Sequence, residues 1–185
     1  ARRLDTLRGE TSRLRAAALA QSAAGRRADR DLAAAEAAAA ARPAAGPALV
    51  VTLDDAPREH GSDASEDDGR VYDQDLQSLV NGLWAAGASA VAINGLRLTP
   101  TTAIRTAGEA VLVDYRPLTG PYEVTALGPG GRLRAAFTGS AADQRLAALR
   151  DRYGLRYAVR TADSARLPAA APSAPRYARP AGERQ

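Results

Sequence analysis

Asn94, Gly95 and Arg97, followed by Thr99, Thr101, Thr102 and Arg105, are the residues of this chain best suited to hold a ligand. Arginine offers a charged fork, and threonine hydroxyls with exposed amides add neutral donors, so the stretch could form an anion-binding edge. The same residues have an architectural use. Val91 and Ile93 share one parity and Leu96 and Leu98 the other, so a strand can keep both pairs in one core only if the phase shifts between them. Asn94-Gly95 is where a bulge or tight hairpin must make that shift.

Other groups with chemical potential are less well arranged. Asp54, Asp55, Glu59, Asp63, Glu66, Asp67 and Asp68 could attract a hard cation, but they lack the ligand spacing and closing glutamate of a calcium loop. As a catalytic pair, Asp54 and Asp55 are adjacent on a strand and therefore point to opposite faces. His60, the one histidine, lies within this acidic stretch, and no nucleophile-elbow pattern accompanies it. Gly128-Pro129-Gly130-Gly131 stands between a strand and a helix, where phosphate loops occur. It has neither the dinucleotide-binding glycine spacing nor a P-loop lysine, and reads as a turn. Trp84 falls on the apolar stripe of a helix and is expected in the core. No metal site, cofactor or catalytic residue is predicted.

Composition narrows the classes further. The chain has 185 residues and no cysteine, which removes disulfides, thiolate chemistry and cysteine-bound zinc. Aromatic residues are 4% and alanine supplies much of the 45% apolar content, so the core is modest and central. All 25 basic residues are arginine. Residues 1–42 hold 9 arginines against 5 acids, residues 43–75 hold 2 against 9, and residues 76–185 hold 14 against 7. No basic face alternates with exposed aromatics, so a nucleic-acid partner is not expected, and a nucleic-acid-binding module is the weakest of three functional readings. No run of about 18 apolar residues exists to form a transmembrane or signal segment.

The elements that must position these residues follow from periodicity. Residues 1–42 are helix-forming, and Leu4, Leu7, Leu14, Ala18, Ala28, Leu32, Ala35 and Ala39 make an a/d seam, interrupted by Thr11, Gln21 and Gly25, suited to a stalk or coiled coil, with homodimerisation as one outcome. ARPAAGP (41–47) is a helix stop, so residues 43–47 form a linker. ALVVTLDDA (48–56) is a buried strand, and residues 57–70 an acidic loop. Residues 72–87 form a helix, with Leu76, Leu79, Val80, Leu83 and Trp84 on one side. A strand opens at Ala88. Short strands are expected at Ala103–Arg105 and Val111–Val113, joined at Gly108, and another alternates through Tyr122, Val124 and Ala126. Leu133, Phe137, Leu146, Leu149 and Tyr153 mark helix broken near Gly139, and RYAVRT (156–161) is a closing strand. The predicted fold is an α+β domain over residues 48–167, a ferredoxin-like β-α-β-β-α-β sandwich, followed by a disordered Pro/Ala/Arg tail at 168–185.

The segment AVAINGLRLTPTTAIRTAG, followed by PYEVTALG, resembles the bacterial domain-of-unknown-function family 881, also described as YlxW/YlxX-like or division initiation proteins. Ala92 to Arg97, Thr102 to Gly108 and Pro121 to Gly128 carry the likeness. VTLDDA (51–56), GLWAAGASA (82–90) and LPA (167–169) extend it over about residues 48–170. Leu96 departs from a position where a polar residue is common. The resemblance implies an extracytoplasmic, non-enzymatic domain behind an N-terminal membrane helix and a coiled-coil-like segment. The expected partners are proteins of the cell envelope or division machinery. ARRLDTLRGE, with Arg2 and Arg3 ahead of a helix and no methionine at position 1, fits a chain beginning just outside a single-pass anchor. The leading functional reading is therefore an envelope scaffold. The second is a sensor for a small anionic ligand at the Asn94–Arg105 edge.

Overall fold

Leu49, Val50, Val51 and Leu53 follow one another too closely to leave one strand face in water, and the chain buries both faces. A computed structural model describes residues 10–11, 22–57 and 69–171. It divides into two units, residues 1–39 and 40–185. In the second unit, strand β1 (Ala44–Asp54) runs between β7 (Tyr122–Leu127) and β8 (Arg156–Leu167). With β2 (Ala90–Ile93) and β3 (Leu96–Arg97) these make an antiparallel five-stranded sheet in the order β3-β2-β7-β1-β8. Leu49 lies opposite Ala126, Val51 opposite Val124 and Leu53 opposite Tyr122.

Three helices belong to this unit's core: α2 (Asp73–Ala85), α3 (Gly130–Phe137) and α4 (Ala141–Tyr153). Leu76, Leu79 and Leu83 of α2, Leu133 and Phe137 of α3 and Leu146 of α4 are buried with Leu49, Val51, Leu53, Val91 and Ile93. Each such side chain contributes roughly 1.5–3 kcal/mol by leaving water. The break between α3 and α4 is at Gly139, φ 76°, as the sequence indicated. A smaller cluster of Ala48, Val50, Ala90, Ala92, Leu127 and Leu167 occupies the opposite parity. Past a bulge between Gly46 and Ala48, the β1–β8 ribbon brings Ala44 and Ala165 against it.

A second antiparallel sheet follows β3: β4 (Ile104–Ala107), β5 (Ala110–Val113) and β6 (Arg116–Leu118), in that order. Both turns have two residues. Gly108 at φ 59° starts one, and Asp114 and Tyr115, at 48° and 64°, form the other. Strand β6 was not read from the sequence because Pro117 weakens its signal; here it is an edge strand, where a missing N–H is tolerated. The sheet is tied to α2 at its start. Asp73 N donates to Thr106 Oγ1 (3.3 Å), Thr106 N to Asp73 Oδ2 (3.0 Å), and Gln77 Nε2 to the Ile104 carbonyl (2.8 Å).

Two boundaries differ from expectation. Residues 44–47, read as linker, are already in β1, since Ala44 pairs with Leu167 and Gly46 with Ala165. In the first unit, helix α1 spans Ala23–Ala38, and Ser22 is its N-cap, extended at φ −103° and ψ 149°, with Oγ accepting from Gly25 N at 2.8 Å. The described helix therefore begins at Ala23, with Ser22 outside it. Leu32 of the seam is 58% exposed. Leu4, Leu7, Leu14 and Ala18 lie outside the described residues, as do residues 172–185 of the tail.

Candidate functional site

Asn94 and Gly95 are the two turn residues of the β2–β3 hairpin, at φ 45° and 76°, with Ile93 opposite Leu96. Positive φ at both positions is the type I′ pattern that Asn-Gly favours. The Asn94 side chain is also a brace. Its Oδ1 accepts from Glu123 N at 2.7 Å, its Nδ2 donates to the Pro121 carbonyl at 3.3 Å, and its own N–H reaches the Glu123 carbonyl at 2.9 Å. The residue locks the hairpin onto β7, so its polar atoms are engaged within the fold.

The hairpin returns Leu96 and Leu98 to the core that holds Val91 and Ile93. Arg97, opposite Ala92, must then face the other way. There it is only 8% exposed. Its NH1 donates to the Pro168 carbonyl at a long 3.4 Å, and its Nε has no acceptor. Burial holds its pKa below the usual arginine value. Arg97 and Gly95 line a cleft of about 280 Å³ with Asp114, Arg116 and residues 168–171.

Thr99, Thr102 and Arg105 line a different cleft. The threonines wrap a turn around Asp114: Thr102 Oγ1 donates to Asp114 Oδ2 (2.8 Å), Ala103 N to Asp114 Oδ1 (3.0 Å), and Thr99 N to Thr102 Oγ1 (2.9 Å). The hydroxyls of Thr99 and Thr101 lie 3.1 Å apart. These donors and acceptors largely satisfy one another, and their focus is a carboxylate. Beside them is a cleft of about 540 Å³, lined by Gln77, Asn81 and Trp84 of α2 together with Leu98, Thr102 and Arg105.

Trp84 is the residue that sequence reasoning misplaced. Expected in the core, it is 40% exposed in this cleft. The signal was present: Gln77, Asn81 and Trp84 are spaced i, i+4, i+7, so the indole belongs to a polar stripe beside the apolar one. The predicted set is thus divided. Thr99, Thr102 and Arg105 come together with Trp84; Gly95 and Arg97 line a different cleft; Asn94 braces the turn between them.

A third cleft, of about 420 Å³, opens at the start of α2. Asp75, 4% exposed, accepts there from Tyr72 N (3.1 Å) and Arg145 NH2 (3.2 Å). That pair spans 70 positions, and no local pattern could have revealed it. Of the acidic residues considered for a cation, Asp54 pairs with Arg156 and Asp55 Oδ1 accepts from Val71 N. Glu59, His60, Asp63, Glu66, Asp67 and Asp68 lie outside the described residues. Among the described residues no three acidic or histidine side chains converge, and no helix is long and apolar enough to cross a membrane.

The crystal structure of an uncharacterized conserved protein from Mycobacterium tuberculosis is similar at TM-score 0.64 and 28% identity, over 81% of this chain and 99% of that one. The UPF0749 protein Rv1823 of Mycobacterium tuberculosis (strain ATCC 25618 / H37Rv) is 37% identical over 188 residues, covering 98% of this chain. The chain spans 61% of that relative's length. The UPF0749 protein YlxW of Bacillus subtilis (strain 168) is 40% identical over 58 residues, 31% of this chain and 25% of that protein. The family model described as "Bacterial protein of unknown function (DUF881)" matches residues 31–179. That match takes in the Asn94-Gly95 hairpin, Arg97, the threonine turn and Trp84, and the chain belongs to the DUF881 family.

Proposed function

We propose that this chain is a non-enzymatic interaction domain of an envelope-associated bacterial protein linked to cell division or cell-wall processes, and that a protein partner docks at Trp84. The observation that carries the reading is the indole itself, 40% exposed in a cleft with amide and hydroxyl neighbours on its rim. Tryptophan is enriched among interface anchors, because its large apolar face and polar N–H suit a surface that is buried on binding. The division link rests on the family resemblance carried by Ala92 to Gly128. In this reading β2-β7-β1-β8 and their crossover helices form a ferredoxin-like sandwich, with the three-stranded sheet inserted between its middle strands. Helix α1, with Leu32 exposed, belongs to a stalk that can pair with a second copy. The domain lies outside the membrane behind a single-pass anchor.

The test is a photo-crosslinking amino acid at position 84 of the full-length protein in living cells. One or a few defined adducts, lost on moving the probe to exposed Arg134 of α3, are expected. A smear identical at both positions removes the reading. A sensor for a small anionic ligand at the Thr99–Arg105 part of the predicted Asn94–Arg105 edge is the second reading, favoured by Arg105, which lines the Trp84 cleft without an ion pair among the described residues. It requires metabolite-dependent thermal stabilisation that disappears in Arg105→Ala.

A further inference from the structure

The structure assigns a separate binding site to the cleft beside Arg97: we propose that it takes a small oxyanion, a carboxylate or a phosphate monoester, between the buried Arg97 guanidinium and Arg116 at the rim. The inference does not rest on Trp84, which belongs to the helical side of the sheet, whereas Arg97 has the parity of Ala92.

The first observation is an incomplete guanidinium. Arg97 is more than nine-tenths buried, yet its Nε finds no acceptor and its NH1 has only the Pro168 carbonyl at 3.4 Å. Among the described residues no carboxylate forms an ion pair with it. The cluster on its side of the sheet is alanine, valine and leucine. A buried N–H left without an acceptor carries its desolvation cost uncompensated, and an apolar side chain of similar length would avoid that cost. An arginine becomes favourable in this place when an anion completes it. The fork is suited to that role, since parallel N–H groups match the two oxygens of a carboxylate or phosphate.

The second observation is that the arginine opens onto a cavity. The cleft of about 280 Å³ has room for a small organic acid, and Arg116 on β6 adds a second guanidinium with no ion pair among the described residues. Asp114 also forms part of the wall. Its two oxygens already accept from Thr102 Oγ1 and Ala103 N, so they are directed into the threonine turn. Two guanidiniums therefore face the cavity against one engaged carboxylate. Leu96 and Val113 add an apolar wall, and residues 168–171 form another, anchored by Ala170 N on the Ala40 carbonyl at 2.8 Å. An entering oxyanion takes over the NH1 contact now held loosely by Pro168, and the Ala170 anchor keeps the wall in place.

The test is thermal unfolding of the 185-residue chain in sodium malonate and, separately, sodium phosphate, with sodium chloride at matched ionic strength as control. A saturable rise of about 4 °C at a tenfold excess over Kd is expected with at least one of the two. The anion that saturates lower identifies the preferred group. Arg97→Met should abolish the rise, and Arg116→Gln should weaken the apparent affinity about tenfold. In the unaltered chain the Arg97 Nε–H resonance should move along the same binding curve. No rise beyond chloride with either anion, an undiminished rise in Arg97→Met, or an unmoved Nε–H resonance overturns the proposal. Should Arg97→Met fail to fold, Arg116→Gln and the resonance in the unaltered chain decide it.

Discussion

Tyr157 donates its hydroxyl to Asp143 Oδ1 at 2.6 Å, joining β8 to the first turn of α4. Asp143 is engaged on its other side as well, with Oδ2 accepting from Gly139 N at 2.8 Å, so one carboxylate fixes both the helix break and the closing strand. Tyr157→Phe removes a hydrogen bond to a carboxylate and should cost about 1.5–3 kcal/mol in urea unfolding.

The same pair predicts how stability depends on alkaline pH. Burial first, then the bond to Asp143, raises the Tyr157 pKa, and burial followed by the charge of Asp55 raises that of Tyr122. Below about pH 10 both hydroxyls are protonated in the folded and unfolded chain, and their contribution is fully present. Above it the unfolded chain releases its protons first, so stability falls as pH rises toward the folded values. The chain has neither lysine nor cysteine, which leaves its tyrosines as the side chains titrating in this range. Unfolding free energies measured from pH 8 to 11 should decline above about pH 10, and Tyr157→Phe should flatten the decline. A parallel decline in the variant would refute the assignment.

Gly82 is a helix-interior glycine whose replacement should do harm. Alanine is the better helix former by up to about 1 kcal/mol. A Cβ at position 82, however, would stand 2.5 Å from Ala142 Cβ and 3.2 Å from the buried Phe137 ring. Overpacking of this kind costs roughly 1–3 kcal/mol, so Gly82→Ala should be destabilised where α2 meets α4. Adding Ala142→Gly should recover part of the loss; an additive double variant would show that the close approach is not the cause.

How much of this was legible in the sequence depended on how local the cause was. The parity argument placed a turn at Asn94-Gly95 because a two-residue period leaves no other way to keep Val91, Ile93, Leu96 and Leu98 in one core, and Gly139 marked the helix break for equally local reasons. The same parity implied that Arg97 and its neighbours of opposite phase could not share a face, yet grouping residues by chemistry obscured this. Trp84 was misplaced because apolar and polar stripes adjoin on α2, and the indole stands at their border. The Asp75–Arg145 bond joins segments 70 positions apart, and the Thr102–Asp114 bond ties two turns 12 positions apart across β4 and β5. They depend on the assembled fold, and residue spacing carries no trace of them.

Asn94 allows the turn and the brace to be separated. Asn94→Gly keeps the positive φ of 45° accessible but loses the side-chain bonds to Glu123 N and the Pro121 carbonyl. Asn94→Ala loses those bonds and must also hold an alanine at positive φ. The expected order of stability is wild type, then glycine, then alanine, with the alanine variant about 1–2 kcal/mol below wild type in urea unfolding. Equal stability of the two variants would mean that the side-chain brace dominates and turn geometry contributes nothing.

The proposed topology can be examined with a reagent the chain makes easy to use. It contains no cysteine, so any single introduced thiol is a unique label within it. Glu109, in the turn between β4 and β5, is exposed and lines neither the Trp84 cleft nor the Arg97 cleft. Glu109→Cys in a full-length protein cleared of other thiols should react with a membrane-impermeant maleimide in intact cells as completely as in lysed ones if the domain lies outside the membrane. Labelling that appears only after lysis places the domain inside. Because Glu109 belongs to neither cleft, that result would remove the envelope location while leaving both binding proposals to their own tests.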